Sequence, residues 1–153
     1  MDLVAGDRGA ILDAIAAEDW QAFTDPRRFD AHLTLGGELD PTWLDLFSQA
    51  VRAVIDAAEP RDFLDARTDI DDVESSGNRT VERVDTGWIT AIARVADPDV
   101  GPIAARWIEL VEGELGPLPR EEKPWIRKLA GDVVEFARRA DHAPAVIVAW
   151  SLG

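Results

Sequence analysis

The stretch Ala145–Gly153 reads AVIVAWSLG. None of its side chains is charged and only Ser151 is polar. In an extended chain Val146, Val148, Trp150 and Leu152 share one side, and Ala145, Ile147, Ala149 and Ser151 share the other. A strand with water on one face alternates apolar with polar residues, whereas one that is apolar on both faces is buried on both. Pro144 ends the preceding helix and launches the strand. The stretch is therefore predicted to be a central strand inserted between helical layers. A strand needs partners, and the best candidates are DLVA (2–5), HLTL (32–35) and TVERV (80–84).

The layers on either side come from helical periodicity. Asp40 and Pro41 make an N-cap and a first helical position, followed by Leu44, Phe47, Val51, Val54, Ile55 and Ala58 at helical spacing, with Pro60 as the stop. Asp97 and Pro98 start a second helix, although Pro102 leaves its first residue open. Its stripe is Ile103, Ala104, Trp107, Leu110, Val111 and Leu115, with Gly113 and GPLP closing it. A third helix runs from about Pro124 with Ile126, Leu129, Ala130, Val133, Phe136, Ala137 and Ala140 inward. Lys128–Asp132 and Glu135–Arg139 pair on its other side, and Arg138 and Arg139 suit the dipole in its last turn. Shorter helices are expected over 8–17 and 87–96. The predicted fold is α+β: one helix-rich domain over 1–153 with a small sheet containing a buried C-terminal strand. The segment DFLDARTDIDDVESSGN (62–78) is expected to be an acidic surface loop.

A length of 153 residues suits one domain. The absence of cysteine excludes disulfides, thiolate zinc sites and a cysteine nucleophile. The N-terminus shows no basic stretch followed by a long apolar one, and the longest apolar run is too short to span a bilayer as a helix. A soluble cytoplasmic protein is expected. The formal net charge is −14 and the isoelectric point about 4.4. Nucleic-acid binding needs cations facing phosphate, and Arg27–Arg28 and Arg138–Arg139 stand among 30 acidic residues. Nucleic acid and anionic lipid are disfavoured, and a basic protein partner or a cation is better matched. Lysine occurs only at Lys123 and Lys128. That bias towards arginine, with abundant alanine and aspartate, fits genome composition or salt adaptation.

Catalytic motifs fail on inspection. Ala149, Ser151 and Gly153 give A-x-S-x-G, but a nucleophile elbow needs a helix after it and a histidine later in the chain. A calcium loop starting at Asp69 has Asp71 in place, then fails at Val73, Glu74 and Thr80. A weaker cation site of Asp69, Asp71, Asp72 and Glu74 ranks below a solvated loop. His142 is expected to cap the last helix, while His32 lies in a candidate strand with its role open. Glu109 and Glu112 are expected on a solvated helix face. GDRG and LGGEL lack the spacing of phosphate loops. No cofactor, metal or catalytic residue is assigned.

The six tryptophans stand out in a chain without tyrosine. Trp107 and Trp150 fall on apolar faces and are expected in the core. Trp43 and Trp125 each follow a helix-starting proline, where an indole covers the helix end and keeps its N–H wet. Trp20 and Trp43 are expected to be the most exposed.

From TVERV through a short helix, ARWIEL, a long helix and VAWSL, residues 80–152 resemble a group of small uncharacterised bacterial proteins that end in a helix followed by an apolar W-S-L strand. The resemblance implies the same helix-and-sheet fold and brings no catalytic residues.

The expected function is a non-catalytic interaction or regulatory protein whose acidic surface meets a basic partner, in the manner of an immunity protein, an antitoxin or an adaptor. Trp20, Asp30, His32 and Trp43 are the candidate interaction or pocket residues. The alternative is an enzyme or small-ligand binder built on His32, Asp30 and Trp20.

Overall fold

The computed structural model describes residues 1–36, 39–70 and 79–151. In chain order they form β1 (Asp2–Gly6), α1 (Arg8–Ala16), a 3-10 turn (Trp20–Thr24), β2 (Ala31–Thr34) and α2 (Pro41–Ile55). A second 3-10 turn (Phe63–Ala66) precedes β3 (Arg67–Asp69), β4 (Arg79–Val84), α3 (Thr86–Ala93), α4 (Asp97–Leu115), α5 (Lys123–Ala140) and β5 (Ala145–Ser151). The strands make one antiparallel sheet in the order β2-β1-β5-β4-β3, and the fold is α+β.

The tail is central, as its two apolar faces require. Ile147 pairs with Val4 on one side and Arg83 on the other. Val146 and Val148 enter a large core shared with α2, α3, α4 and α5, while Ile147 and Ala149 enter a smaller one with Ile11, Phe23 and Phe29. Of the three segments expected to pair with the tail, 2–5 and 80–84 do so as β1 and β4, whereas 32–35 supplies β2, which pairs with β1 at the sheet edge instead. Leu152 and Gly153 lie outside the described residues.

The helices begin where their caps place them. Asp40 accepts the Thr42 N–H at 2.8 Å, and Asp7 accepts that of Ala10 at 2.9 Å. α2 stops at Ile55, short of the expected Ala58, because Asp56 takes a left-handed conformation (φ 52°) and returns its N–H to the Arg52 carbonyl. α4 begins at Asp97 after Ala96, so Asp97 and Asp99 face the positive helix end and Pro102 falls inside the helix. α2 packs on α4, and α5 packs on α3 and α4. Trp107 joins these layers, with Phe47 at 4.9 Å and Trp43 at 6.2 Å, both edge-on. Trp88 donates to Ser48 Oγ at 2.9 Å, and Ser48 donates to the Leu44 carbonyl. The buried indole and hydroxyl thus satisfy each other.

Part of the expected 62–78 surface loop is built into the fold. Phe63, Ala66 and Ile70 are buried, Phe63 meets Trp88 edge-on at 4.9 Å, and Arg67–Asp69 pairs with β4. Three apolar residues at spacings of three and four suffice to anchor the segment, while Asp65 and Asp69 face water. Residues 71–78 lie outside the described residues, and with them Asp71, Asp72 and Glu74 of the weak cation site.

Two other details differ from expectation. The His142 imidazole is exposed and 4.0 Å from Asp141, so it caps no carbonyl; the main-chain N–H of His142 bonds to the Ala140 carbonyl instead. Glu109 is on a solvated face and pairs with Arg106, but Glu112 accepts the Leu118 N–H at 3.2 Å and meets Lys123 at 3.4 Å, tying α4 to the start of α5. Among the described residues no helix is long and apolar enough to cross a membrane.

Candidate functional site

The candidates Trp20, Asp30, His32 and Trp43 do not form one site. His32 and Thr34 lie on the face of β2 beside Asp2 of β1, a consequence of the register Val4 with His32 and Asp2 with Thr34. Asp2 Oδ1 is 3.0 Å from His32 Nε2 and accepts the Thr34 hydroxyl at 2.7 Å. Burial alone would raise the Asp2 carboxyl. The hydrogen bonds from His32 and Thr34, aided by the N-terminal ammonium group and the His32 charge, outweigh it and hold the group below its ordinary value. Phe23 lies between His32, at 5.4 Å, and Trp20, at 5.6 Å, and the Arg79 guanidinium covers Trp20 at 4.3 Å. Asp30 contributes its main-chain N–H to the Ala5 carbonyl while its side chain is exposed. The histidine's carboxylate is thus Asp2, 30 residues away in sequence, rather than its neighbour Asp30.

A second polar cluster lies between strands. Glu82, 7% exposed, accepts from Arg67 at 2.6 Å and from the Trp150 indole at 2.8 Å through the same oxygen. Arg67 Nε is buried with no hydrogen-bond partner among the described residues. Both charges come from neighbouring strands, and the cluster ties β3, β4 and β5 together.

Trp43 belongs elsewhere, to a cleft of about 420 Å³ between the end of β2, the first turn of α2 and the start of α5. Leu35 and Leu39 form its floor and are buried. Trp43 forms one wall, fixed from behind by Trp107, whose indole N–H reaches the Trp43 carbonyl at 2.9 Å. Trp125 forms the other wall and is 44% exposed, the largest exposed aromatic side chain among the described residues. Gly36 holds a left-handed conformation (φ 93°) at the rim, and a side chain there would approach the Trp125 ring at 3.9 Å. Glu121 and Glu122 complete the rim. The neighbouring Lys123 is turned away to Glu112, and neither Glu121 nor Glu122 has an ion-pair partner among the described residues.

Two indole walls, an apolar floor and two unpaired carboxylates form a setting for an organic cation. An indole face attracts a cation through its quadrupole, most strongly where water is partly excluded, and the carboxylates add a direct charge attraction. Exposure was expected of Trp20 and Trp43; it is Trp125 that stands most open, because Phe23 and Arg79 cover Trp20. Sequence reasoning singled out Trp43 for the site and omitted Trp125, Glu121 and Glu122. The signal for Trp125 was its place beside Pro124 at a helix start, the same placement as Trp43 beside Pro41.

Among the described residues no three histidine, aspartate or glutamate side chains gather as a metal site. No family model matches the chain, and neither a curated protein nor a solved structure matches it.

Proposed function

We propose that the protein is a non-catalytic interaction protein of the cytoplasm, whose Trp43–Trp125 cleft receives a positively charged side chain from a basic protein partner. The observation that carries this reading is the pair of unpaired carboxylates, Glu121 and Glu122, set beside the half-exposed Trp125 at the mouth of an apolar cleft. The net charge of −14 supports it by drawing a basic partner towards the whole surface. Tryptophan is enriched among the anchor residues of protein interfaces. An immunity protein, an antitoxin or an adaptor would use such a surface.

The test is a titration of the protein with Nα-acetyl-arginine amide at low salt, read on the indole N–H signals by nuclear magnetic resonance. Saturable shifts at Trp43 and Trp125, weakened by added salt and by Glu121→Gln/Glu122→Gln, are expected. Shifts spread evenly over all six indoles, or none at those two, would overturn the reading.

A further inference from the structure

We infer that the basic partner enters as an extended segment that adds to the free edge of β2, with one cationic side chain in the Trp43–Trp125 cleft and a second one four residues away over α5. This inference rests on the cleft reading above and specifies how the partner binds.

β2 is the outermost strand on its side of the sheet. Its hydrogen-bonding parity follows from its partner. The Leu35 N–H bonds to the Met1 carbonyl at 2.9 Å, and the register pairs Leu33 with Leu3 and Ala31 with Ala5. In an antiparallel ladder these alternate residues direct their main-chain groups inward, so His32 and Thr34 direct theirs outward. Among the described residues nothing bonds to the main-chain groups of His32 and Thr34 on that outer side. An open strand edge is a template for another strand unless it is covered or charged, and adding a peptide strand to such an edge is a common recognition mode.

The edge is flanked by α5, which packs beside β2. Trp125, Asp132, Phe136 and Arg139 follow one another at spacings of seven, four and three, which is one stripe of a helix. A second cleft, of about 280 Å³, lies between this stripe and Ala31–Leu33, with Asp132 and Glu135 on its helix side. The first cleft begins at Leu35 and Gly36. The two clefts thus lie in succession along the same border between β2 and α5. β2 ends at Thr34, so His32 and Gly36 are separated by at most about 13 Å of chain, and Trp125 to Glu135 is about 15 Å of helix. Four residues of extended chain span that distance and return a side chain to the same face.

Charge selects the occupant. Glu121 and Glu122 are unpaired at one end. At the other end Asp132 and Glu135 hold Lys128 and Arg139 in exposed pairs one helical turn apart. Such pairs are weak, so an incoming cation can share these carboxylates. The partner segment is accordingly extended, basic, and carries cations at positions i and i+4.

The probe is an acetylated, amidated nine-residue threonine peptide with arginine at positions 3 and 7. It is expected to bind at least about tenfold more tightly than acetyl-arginine amide, and about tenfold more tightly than an isomer with arginine at positions 3 and 6, whose two cations point to opposite faces. On binding, amide exchange at His32 and Thr34 should slow. N-methylation at peptide residues 4 and 6, or at residues 3, 5 and 7, should abolish binding for one set and spare it for the other, because only alternate amides face the edge. If the indoles of Trp43 and Trp125 shift while the His32 and Thr34 amides stay unprotected and both methylated peptides bind alike, strand addition is wrong and the cleft reading stands. If acetyl-arginine amide leaves those indoles unmoved, the cleft reading itself fails. Protection of His32 and Thr34 in the protein alone, rising with its concentration, would give the edge to a second copy of the chain and overturn the proposal.

Discussion

Trp107, fully buried, donates its indole N–H to the main-chain carbonyl of Trp43 at 2.9 Å. The contact couples the core to the cleft. The ring edges of Trp43 and Phe47 pack on the same indole, so the wall of the cleft is positioned by a residue that never meets a ligand.

Trp107→Phe should therefore act at two places. It removes the N–H and leaves a void beside Phe47, a loss of about 2 kcal/mol in stability, to be measured by urea denaturation. Cation binding in the cleft should weaken as well, because Trp43 loses its backing. An unchanged affinity in the folded variant would show that Trp43 is held by other contacts.

The Arg67–Glu82 pair is a structural tie. Removing Arg67 alone, as in Arg67→Met, leaves a carboxylate that is 7% exposed with only the Trp150 indole for company. A cost of about 3 kcal/mol is expected. Arg67→Met combined with Glu82→Leu should recover much of that loss, because both desolvation costs disappear together. A double-mutant cycle by chemical denaturation gives the coupling, and additive losses would argue that the pair is uncoupled.

Asp2 gives the stability an acid limb. Its carboxyl has a lower value in the fold than the 3.8 of a free side chain, so the charged form favours folding. That contribution is complete above the unfolded value and is lost as the pH falls through the lower folded one. Asp2→Asn should lower stability at neutral pH and flatten its decline between about pH 5 and pH 2. Parallel curves of stability against pH for the two proteins would contradict the role given to His32 and Thr34.

β5 carries hydrogen bonds to both β1 and β4. Ending the chain at Pro144 opens two central edges and removes the buried Val146, Ile147 and Val148. These side chains contribute about 1.5–3 kcal/mol each, a total of the same order as the net stability of about 5–15 kcal/mol typical of a domain, and the lost strand pairing adds to it. No cooperative melting is expected from the truncated chain. Ile147→Ala should fold with a loss of about 3 kcal/mol, and a truncated chain that melts near the full-length temperature would show that β5 is dispensable.

Most of the fold was legible from local patterns. An uncharged run apolar on both faces marked β5, and proline with aspartate marked the starts of α2 and α4. The turn at Phe63 and the strand at Arg67–Asp69 were hidden because their apolar anchors are scattered among aspartates, and the core that receives Phe63, including Trp88 and α2, is distant in sequence. The pairing of His32 with Asp2 depends on strand register, which sequence neighbours do not reveal. The cleft was half visible. Trp43 and Trp125 share the same helix-start context, but their meeting depends on how α2 and α5 are set around Leu35 and Leu39, which is a product of tertiary packing.

The most direct measurement is calorimetric titration of the arginine peptide into the wild-type protein and into Glu121→Gln/Glu122→Gln, at low and high salt. Both substitutions are on the exposed rim, so the melting temperature should be unchanged. The account predicts affinity at least about tenfold lower in the variant, a difference of about 1.4 kcal/mol, with a shallower dependence on salt. Equal affinity and equal salt dependence in the two proteins would contradict the claim that this cleft is where a basic partner is held.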